Sequence, residues 1–428
     1  MKKNFTFLAH SFMPTATTQP QTLSGSVARC TRCNACVQSC PSYLLHKEET
    51  FSPRGRVQIL RLLLDRKLKY TPHQTPINQT MQDCILCGRC TLACAGQVPV
   101  AHQVLALKKA VSLPVLPFPC KTFLAWHARH PRWFDFAVRF IQRLRAWHLF
   151  AVFGENMIPL LRPIAHLHRI LPAPKQNLRQ LLPKTRFHQA PKKPEIIFFP
   201  SLEARYIDPT LALTALDCFG NKEVLLWPEM HSGLAAYLLD DEKLCLQQAK
   251  RLLTAWEKTG GKKKLPFVTD SWEVFAFLKN YPFLFARLPG WEKRARIFAG
   301  RVHFITDFIK AKKSYPQKTA LDFSGLLSLP KETIFSAQKI LKTHFGKNFV
   351  ECEYSRFPVP AEIAALSHVS QAEKMILESV KQIASKQIKQ VFCLSAWAAW
   401  ELNYALQKHY PCAQAKNIVY LQAKNDRI

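Results

Sequence analysis

The alternation of apolar and polar positions is most regular in the second half of the chain. Short apolar runs (Ile196–Phe199, Val224–Trp227 and Phe267–Thr269) are separated by longer stretches of helical periodicity such as Glu242–Glu257. Unbroken apolar runs of that length, spaced by helices, are how parallel strands covered on both faces read in a sequence. The pattern from residue 195 onward therefore predicts α/β units. Its landmarks come twice. Cys218-Phe219-Gly220, a helix over Leu244–Thr254 and a segment Phe267–Asn280 closing at Tyr281-Pro282 form the first set. Phe345-Gly346, a helix over Ala372–Ser385 and a segment Val391–His409 closing at Tyr410-Pro411 follow about 126 to 129 positions on. Residues 195–312 and 313–428 thus read as two related α/β units.

Upstream the pattern is looser. Residues 113–194 are basic and punctuated by proline, with Asp135 and Glu155 the only acids between Lys121 and Pro194. Phe134, Phe136, Phe140, Ile141 and Leu144 recur there at helical spacing. One reading is a helical linker whose aromatic face packs on the α/β units. The other is an Arg-rich, Trp-bearing stretch (Trp126, Trp133, Trp147) lying on an anionic membrane surface. Residues 1–28 run into Thr, Gln and Ser and read as a flexible segment. Lys2 and Lys3 are not followed by a continuous apolar stretch, so no signal peptide is read. Arg139, Arg143 and Arg145 interrupt the most apolar window, so no transmembrane helix is predicted. The expected location is the cytoplasm, or the inner face of the cytoplasmic membrane as a peripheral protein.

Composition narrows the class. At 428 residues, 48% hydrophobic and 21% charged, the chain is that of a folded protein of two or three domains. The formal net charge of +31 admits nucleic acid, an anionic membrane or an acidic protein as partner. The basic residues are spread along the chain and no nucleic-acid-binding motif stands out, so no nucleic-acid partner is expected.

The cysteines change the picture most. Of 14, eight fall in two tight groups before residue 95. Clustering of that kind in a long chain points to metal ligation in a reducing compartment rather than to a disulfide framework. The first run is Cys30-x-x-Cys33-x-x-Cys36-x-x-x-Cys40-Pro41, and the second is Cys84-x-x-Cys87-x-x-Cys90-x-x-x-Cys94. Spacings of two, two and three, given twice, match the bacterial two-cluster ferredoxin pattern. Three thiolates two residues apart let a short loop wrap three corners of a cubane. The fourth begins a helix that leaves for the other cluster. The expected ligation is crossed: Cys30, Cys33, Cys36 and Cys94 on one [4Fe–4S] cluster, and Cys84, Cys87, Cys90 and Cys40 on the second. A pair of zinc sites is the competing reading, but zinc usually takes two CxxC pairs across a longer loop. Pro41 suits the exit of the first loop, whereas Ala95-Gly96 stands at that place in the second, which predicts a local backbone difference. Between the runs, the arginines of Ser52-Pro53-Arg54-Gly55-Arg56 either open an exposed helix or steady the anionic clusters.

Cys30 through Tyr43, then Ser52-Pro53-Arg54-Gly55-Arg56, then Asp83 through Cys90 resemble the iron–sulfur subunit of glycolate oxidase. The wider family includes subunits of lactate-utilisation and glycerol-3-phosphate dehydrogenase complexes. The resemblance implies two [4Fe–4S] clusters that relay single electrons, and a separate flavoprotein dehydrogenase subunit that oxidises a 2-hydroxy acid. It also implies an acceptor such as a quinone or a membrane-associated protein. The chain has no GxGxxG fingerprint for a flavin of its own, and no catalytic residue is assigned to it. The resemblance further implies paired cysteine-rich domains with Cys-Cys-Gly and CxxC motifs. Here those places read His231-Ser232-Gly233 and Ser271-Trp272-Glu273-Val274, while Cys352 and Cys393 lack partners. Both α/β units are therefore expected to be degenerate, with Cys218, Cys245, Cys352, Cys393 and Cys412 isolated. His231 reads either as a leftover ligand or as an ordinary core or surface histidine. The predicted fold is α+β: a helical two-cluster ferredoxin-like domain (29–112), a basic helical linker (113–194) and the two α/β units.

Overall fold

A computed structural model describes residues 12–13, 21–70, 75–96, 98–110, 176–182, 191–228, 231–239, 241–260, 265–310, 317–322, 331–350 and 369–422, with isolated positions between 122 and 172. The helical pattern at Phe134–Leu144, Trp133, Trp147 and Cys352 lie outside the described residues.

The chain is mixed helix and sheet, and its main sheets are parallel. The N-terminal part is helical. It comprises α1 (Leu23–Ala28), α2 (Pro41–His46), α3 (Pro53–Leu64), α4 (Thr75–Gln82), α5 (Arg89–Leu92) and α6 (Val100–Ala110). Helix α3 begins where Ser52 accepts a hydrogen bond from the Gly55 amide at 2.8 Å and Pro53 supplies a preset first turn. It buries Val57, Leu60 and Leu63 against Val104 and Leu105 of α6. Residues 23–28 depart from the flexible segment expected at 1–28. Leu23 and Val27 enter this same core, which turns the last residues before the first cysteine run into a helix.

The first α/β segment has strands β1 (Ile196–Phe199), β2 (Val224–Leu226), β3 (Phe267–Thr269) and β4 (Val302–Phe304), ordered β2-β1-β3-β4 and all parallel. All four β1 residues are buried, as a central strand with helices on both faces requires. Around it pack α7 (Pro209–Cys218), α8 (Leu234–Leu238), α9 (Glu242–Gly260), α10 (Trp272–Lys279) and α11 (Pro289–Ala299). The apolar stripe of α9 is Cys245, Ala249, Leu252, Leu253 and Trp256, and the Trp256 indole N–H closes on the Leu265 carbonyl at 3.0 Å.

The second segment has strands β5 (Thr319–Asp322), β6 (Gln390–Cys393) and β7 (Gln414–Asn417) in the order β5-β6-β7, with helices α12 (Lys331–Phe345), α13 (Val369–Ser385) and α14 (Ala396–His409). Phe349 adds a single parallel bridge to Thr319. The second sheet therefore follows the strand order of the first, with its outer strand reduced to one bridge. Gly220 and Gly346, at the ends of α7 and α12, both adopt positive φ (60° and 52°). The second segment has a core of its own around Ile383, Val391 and Leu402, and a shared one with the first. Leu321, Leu341, Phe392, Leu394 and Val419 lie in one continuous core with Ile197, Phe219 and Trp227.

Carboxyl groups crowd the junction at the carboxyl ends of the strands. Asp270 accepts from the Ser201 amide at 2.7 Å and the Ser201 hydroxyl at 2.9 Å, tying the end of β3 to the end of β1. Glu273 is buried, accepts from Ser271 and faces Ser395 of the second segment. Glu203 accepts from the Trp397 indole of α14 at 2.9 Å. Burial pushes Asp270 up to about 6 despite the Ser201 hydrogen bonds, and burial followed by the Glu203 charge raises Glu273. A carboxyl group raised in this way contributes stability below its ordinary titration range and loses it as pH rises through the folded value. Glu273→Gln is therefore expected to stabilise the fold at pH 8 by on the order of 1–3 kcal/mol. It should also flatten the fall in stability between about pH 4 and 7. Urea unfolding across that pH range measures both.

Candidate metal centre

The two cysteine runs fold into loops of the same shape. In the first, Arg32 and Asn34, on either side of Cys33, have positive φ (61° and 69°); in the second, Leu86 and Gly88, on either side of Cys87, do the same (55° and 69°). Left-handed residues alternating with extended or right-handed ones turn successive backbone N–H groups toward a common centre, the geometry of an anion-binding nest. Three of these four residues carry a side chain, so the conformation is held at a cost of about 1–3 kcal/mol each.

The exits differ, as the missing proline predicts. Cys40 caps α2, with Pro41 in its first turn. After Cys94 no helix begins until Val100; the Val98 amide instead points at the Cys94 sulfur at 3.4 Å. Gly96 passes close to the Arg29 carbonyl, 3.4 Å from where a Cβ would stand.

Cys40 does not stay with its own run. It lines a small pocket together with Cys84, Cys87 and Cys90, flanked by Pro41, Ser42, Arg56, Ile85 and Ala101. Cys94 lies within electrostatic reach of Cys36, as do Cys30 and, with a smaller effect, Cys40. Cys33 is exposed, with its sulfur held by its own loop through Thr31 and Ala35. The thiols surround a space and do not converge on a point. Among the described residues no three His, Cys, Asp or Glu side chains are grouped to hold a single ion. Four thiols around a cavity, beneath inward-turned amides, suit an iron–sulfur cluster.

The thiols of the second group are hard to ionise without such a partner. Burial pushes Cys87 up to about 12, although one edge of it remains accessible, and raises Cys90 well above the ordinary thiol range. Burial pushes Cys36 up to about 11, with Cys94 adding to it. Cys40 is raised by burial too, but Arg56 opposes the rise. The Arg56 guanidinium is sealed from water and donates to the Thr80 carbonyl at 2.9 Å, the Ser42 hydroxyl at 2.7 Å and the Cys40 sulfur at 3.6 Å. Burial alone would lower its pKa; Cys84 and Cys40 outweigh that and raise it.

The two readings of the arginine motif divide between its members. Arg56 is the buried partner of the thiols, while Arg54 lies at the surface and pairs with Glu49 at 2.6 Å. Gly55 between them is required sterically, because a Cβ there would stand 2.1 Å from the Glu49 carbonyl oxygen. Lys108 was not visible as a site residue in the sequence. Its ammonium reaches out of α6 to the Gln82 and Cys84 carbonyls at 3.3 and 3.0 Å, and burial brings it down to about 8. The only hint was a lysine on an otherwise apolar helix face. Met375 of α13 was also missed; it forms a buried cluster with Ile85, against which Leu45 and Cys87 pack.

The positions where the resemblance would place Cys-Cys-Gly and CxxC motifs in the first α/β segment make structural contacts. Gly233 has φ 93° against the Cys245 carbonyl, Ser232 accepts from the Tyr281 hydroxyl, and Ser271 caps α10 by accepting from the Val274 amide at 3.2 Å. Cys218, Cys245 and Cys393 are buried and Cys412 is exposed, each a free thiol.

The class of protein follows from comparison with known families: residues 26–98 match the family of 4Fe-4S dicluster domains. Beyond that domain, the chain is 22% identical over 360 residues to the "Probable glycolate oxidase iron-sulfur subunit" of Bacillus subtilis (strain 168), covering 77% of each chain. It is therefore similar to glycolate oxidase iron–sulfur subunits through most of its length, and its N-terminal part is an iron–sulfur domain of ferredoxin type. No solved structure matches it. No described helix is long and apolar enough to cross a membrane.

Removal of the buried guanidinium in Arg56→Gln is expected to destabilise the N-terminal domain by about 3–5 kcal/mol, the cost of breaking a buried charge pair. Gly55→Ala should cost about 1–3 kcal/mol through the clash with Glu49. Arg54→Gln should change stability by no more than about 1 kcal/mol. Chemical denaturation of the three variants side by side checks the order.

Proposed function

We propose that the chain holds two [4Fe–4S] clusters, one on Cys30, Cys33, Cys36 and Cys94 and the other on Cys84, Cys87, Cys90 and Cys40. We assign it the role of electron-transfer subunit in a flavin-dependent 2-hydroxyacid oxidoreductase of glycolate or lactate type. The observation that carries this reading is the exchange of fourth cysteines. Cys40 lines one cavity with the second run, while Cys94 lies beside Cys36 of the first.

The clusters supply one-electron chemistry; the chain sets their spacing, burial and hydrogen bonding. The inward-turned amides beside Cys33 and Cys87 donate to the anionic sulfurs. Arg56 holds Cys40 in place and balances its charge. Met375 and Ile85 cluster next to Cys87. Substrate oxidation belongs to a flavoprotein partner, as the curated relative's name as a subunit of glycolate oxidase suggests, and a quinone or a membrane-associated protein is the onward acceptor. The basic segment 113–194 connects the iron–sulfur domain to two related α/β units, and the shared strand order supports a common origin for the pair. With their motif positions taken over by Ser232, Gly233 and Ser271, these units act as a docking scaffold. The protein works in the cytoplasm or on the inner face of its membrane.

Anaerobic purification with iron and sulfide analysis tests the reading. About eight irons and eight sulfides per chain are expected, with coupled EPR signals from two reduced cubanes. Cys40→Ser and Cys94→Ser should each perturb a different signal. Zinc without sulfide, or loss of the same signal in both variants, overturns it.

A further inference from the structure

The two thiol groups differ in their access to solvent. Thr31, Arg32, Cys33, Asn34 and Ala35 form an unbroken exposed loop, with Cys33 at its middle. Cys40 and Cys90 are buried, and Cys84 and Cys87 are half-buried, with Met375 of the second α/β segment clustered with Ile85 next to Cys87. Electron transfer weakens steeply with distance, so a partner protein can approach the first group, with its exposed Cys33, more closely than the second. The exposed loop is also basic. Arg32 projects from a left-handed backbone position that a side chain adopts only under strain. Arg54 of α3 stands near enough to feel the charges of Cys36 and Cys30. No acidic residue lies between Cys30 and Cys40.

We infer that electrons enter this chain through the exposed 31–35 loop over Cys33, and that the redox protein meeting it there presents an acidic surface. The inference rests on the two-cluster reading and adds the direction of traffic. The Cys30, Cys33, Cys36 and Cys94 group is the port, and the Arg56-side group is the interior relay. A reduced flavin in the partner gives up its two electrons one at a time. Each reduces a cluster from the 2+ to the 1+ state, with no bond made or broken in this chain, and the flavin's protons return to solvent.

Two small oxidants of opposite charge, ferricyanide and hexaammineruthenium(III), test the port without the natural partner. Each is mixed in a stopped flow with the dithionite-reduced holoprotein at low salt, for the wild type, Arg32→Glu, Ala35→Glu and the distant surface variant Lys408→Glu. Arg32→Glu and Ala35→Glu are expected to slow oxidation by ferricyanide about tenfold and to speed oxidation by the ruthenium complex by a similar factor. High salt should erase both effects, and Lys408→Glu should show neither. An anionic dysprosium chelate should shorten the spin relaxation of one reduced-cluster signal in the wild type, and should do so less in Arg32→Glu. Ala35→Glu adds a charge without removing a contact, so it decides the matter where Arg32→Glu fails to fold. Unchanged rates in a variant with full iron and sulfide content overturn the port alone. A wild type lacking iron and sulfide overturns the cluster reading and the port with it.

Discussion

A guanidinium shut away from water has to find its counter-charge inside the fold, and Arg56 finds it in the thiols. Its side chain reaches from α3 to Cys40 and Ser42 at the start of α2 and to the Thr80 carbonyl in α4. The two cysteine runs are far apart in sequence, and this one group joins the end of the first to the helix that leads into the second. The dependence is mutual. Thiols desolvated to the degree of Cys87 and Cys90 resist ionisation, while a buried cation without anions nearby would be expelled or neutralised. Neither the arginine nor the anionic sulfurs would be stable there alone. The shape of α3, with its Ser52 cap, Pro53 start and obligatory Gly55, follows from delivering that guanidinium to the cavity.

The rest of the molecule is arranged around this centre as support. Helix α8 of the first α/β segment packs Leu238 into the core of the iron–sulfur domain. Lys109 of α6 donates to the Tyr237 carbonyl, with its ammonium 4.0 Å from the ring centre. Helix α13 of the second segment places Met375 against Ile85, next to Cys87. The two α/β segments share part of their core, and each places side chains against the iron–sulfur domain. In that half of the chain Ser232, Gly233 and Ser271 serve as an acceptor, a tight turn and a helix cap.

Much of this was legible in the residues. The spacing of Cys30 to Cys40 and of Cys84 to Cys94 depends only on how many residues span the corner of a cubane, a local property that sequence carries in full. The apolar runs at Ile196–Phe199 and Phe267–Thr269 became buried parallel strands because continuous hydrophobicity suits no other place in an α/β fold. Helix α1 was missed because its six residues have little helical signal of their own; Leu23 and Val27 are ordered by the core they enter. The different fates of Arg54 and Arg56 were equally hidden. Two arginines separated by one glycine look alike in a sequence, and only the direction of α3 sends one to solvent and the other to the thiols.

The sequence by itself therefore determined the local pattern: eight cysteines in two loops of repeated spacing, with parallel α/β segments behind them. The tertiary structure decided the asymmetry between the two thiol groups. Cys33 is left at the surface and Cys90 is enclosed because burial depends on which distant element packs on a loop. Cys90 lies in the N-terminal core with Leu86 and Leu105, whereas Met375, from a helix nearly three hundred positions along the chain, clusters with Ile85 next to Cys87. Spacing along a chain fixes what a loop can bind, whereas its surroundings fix how exposed and how charged that site will be.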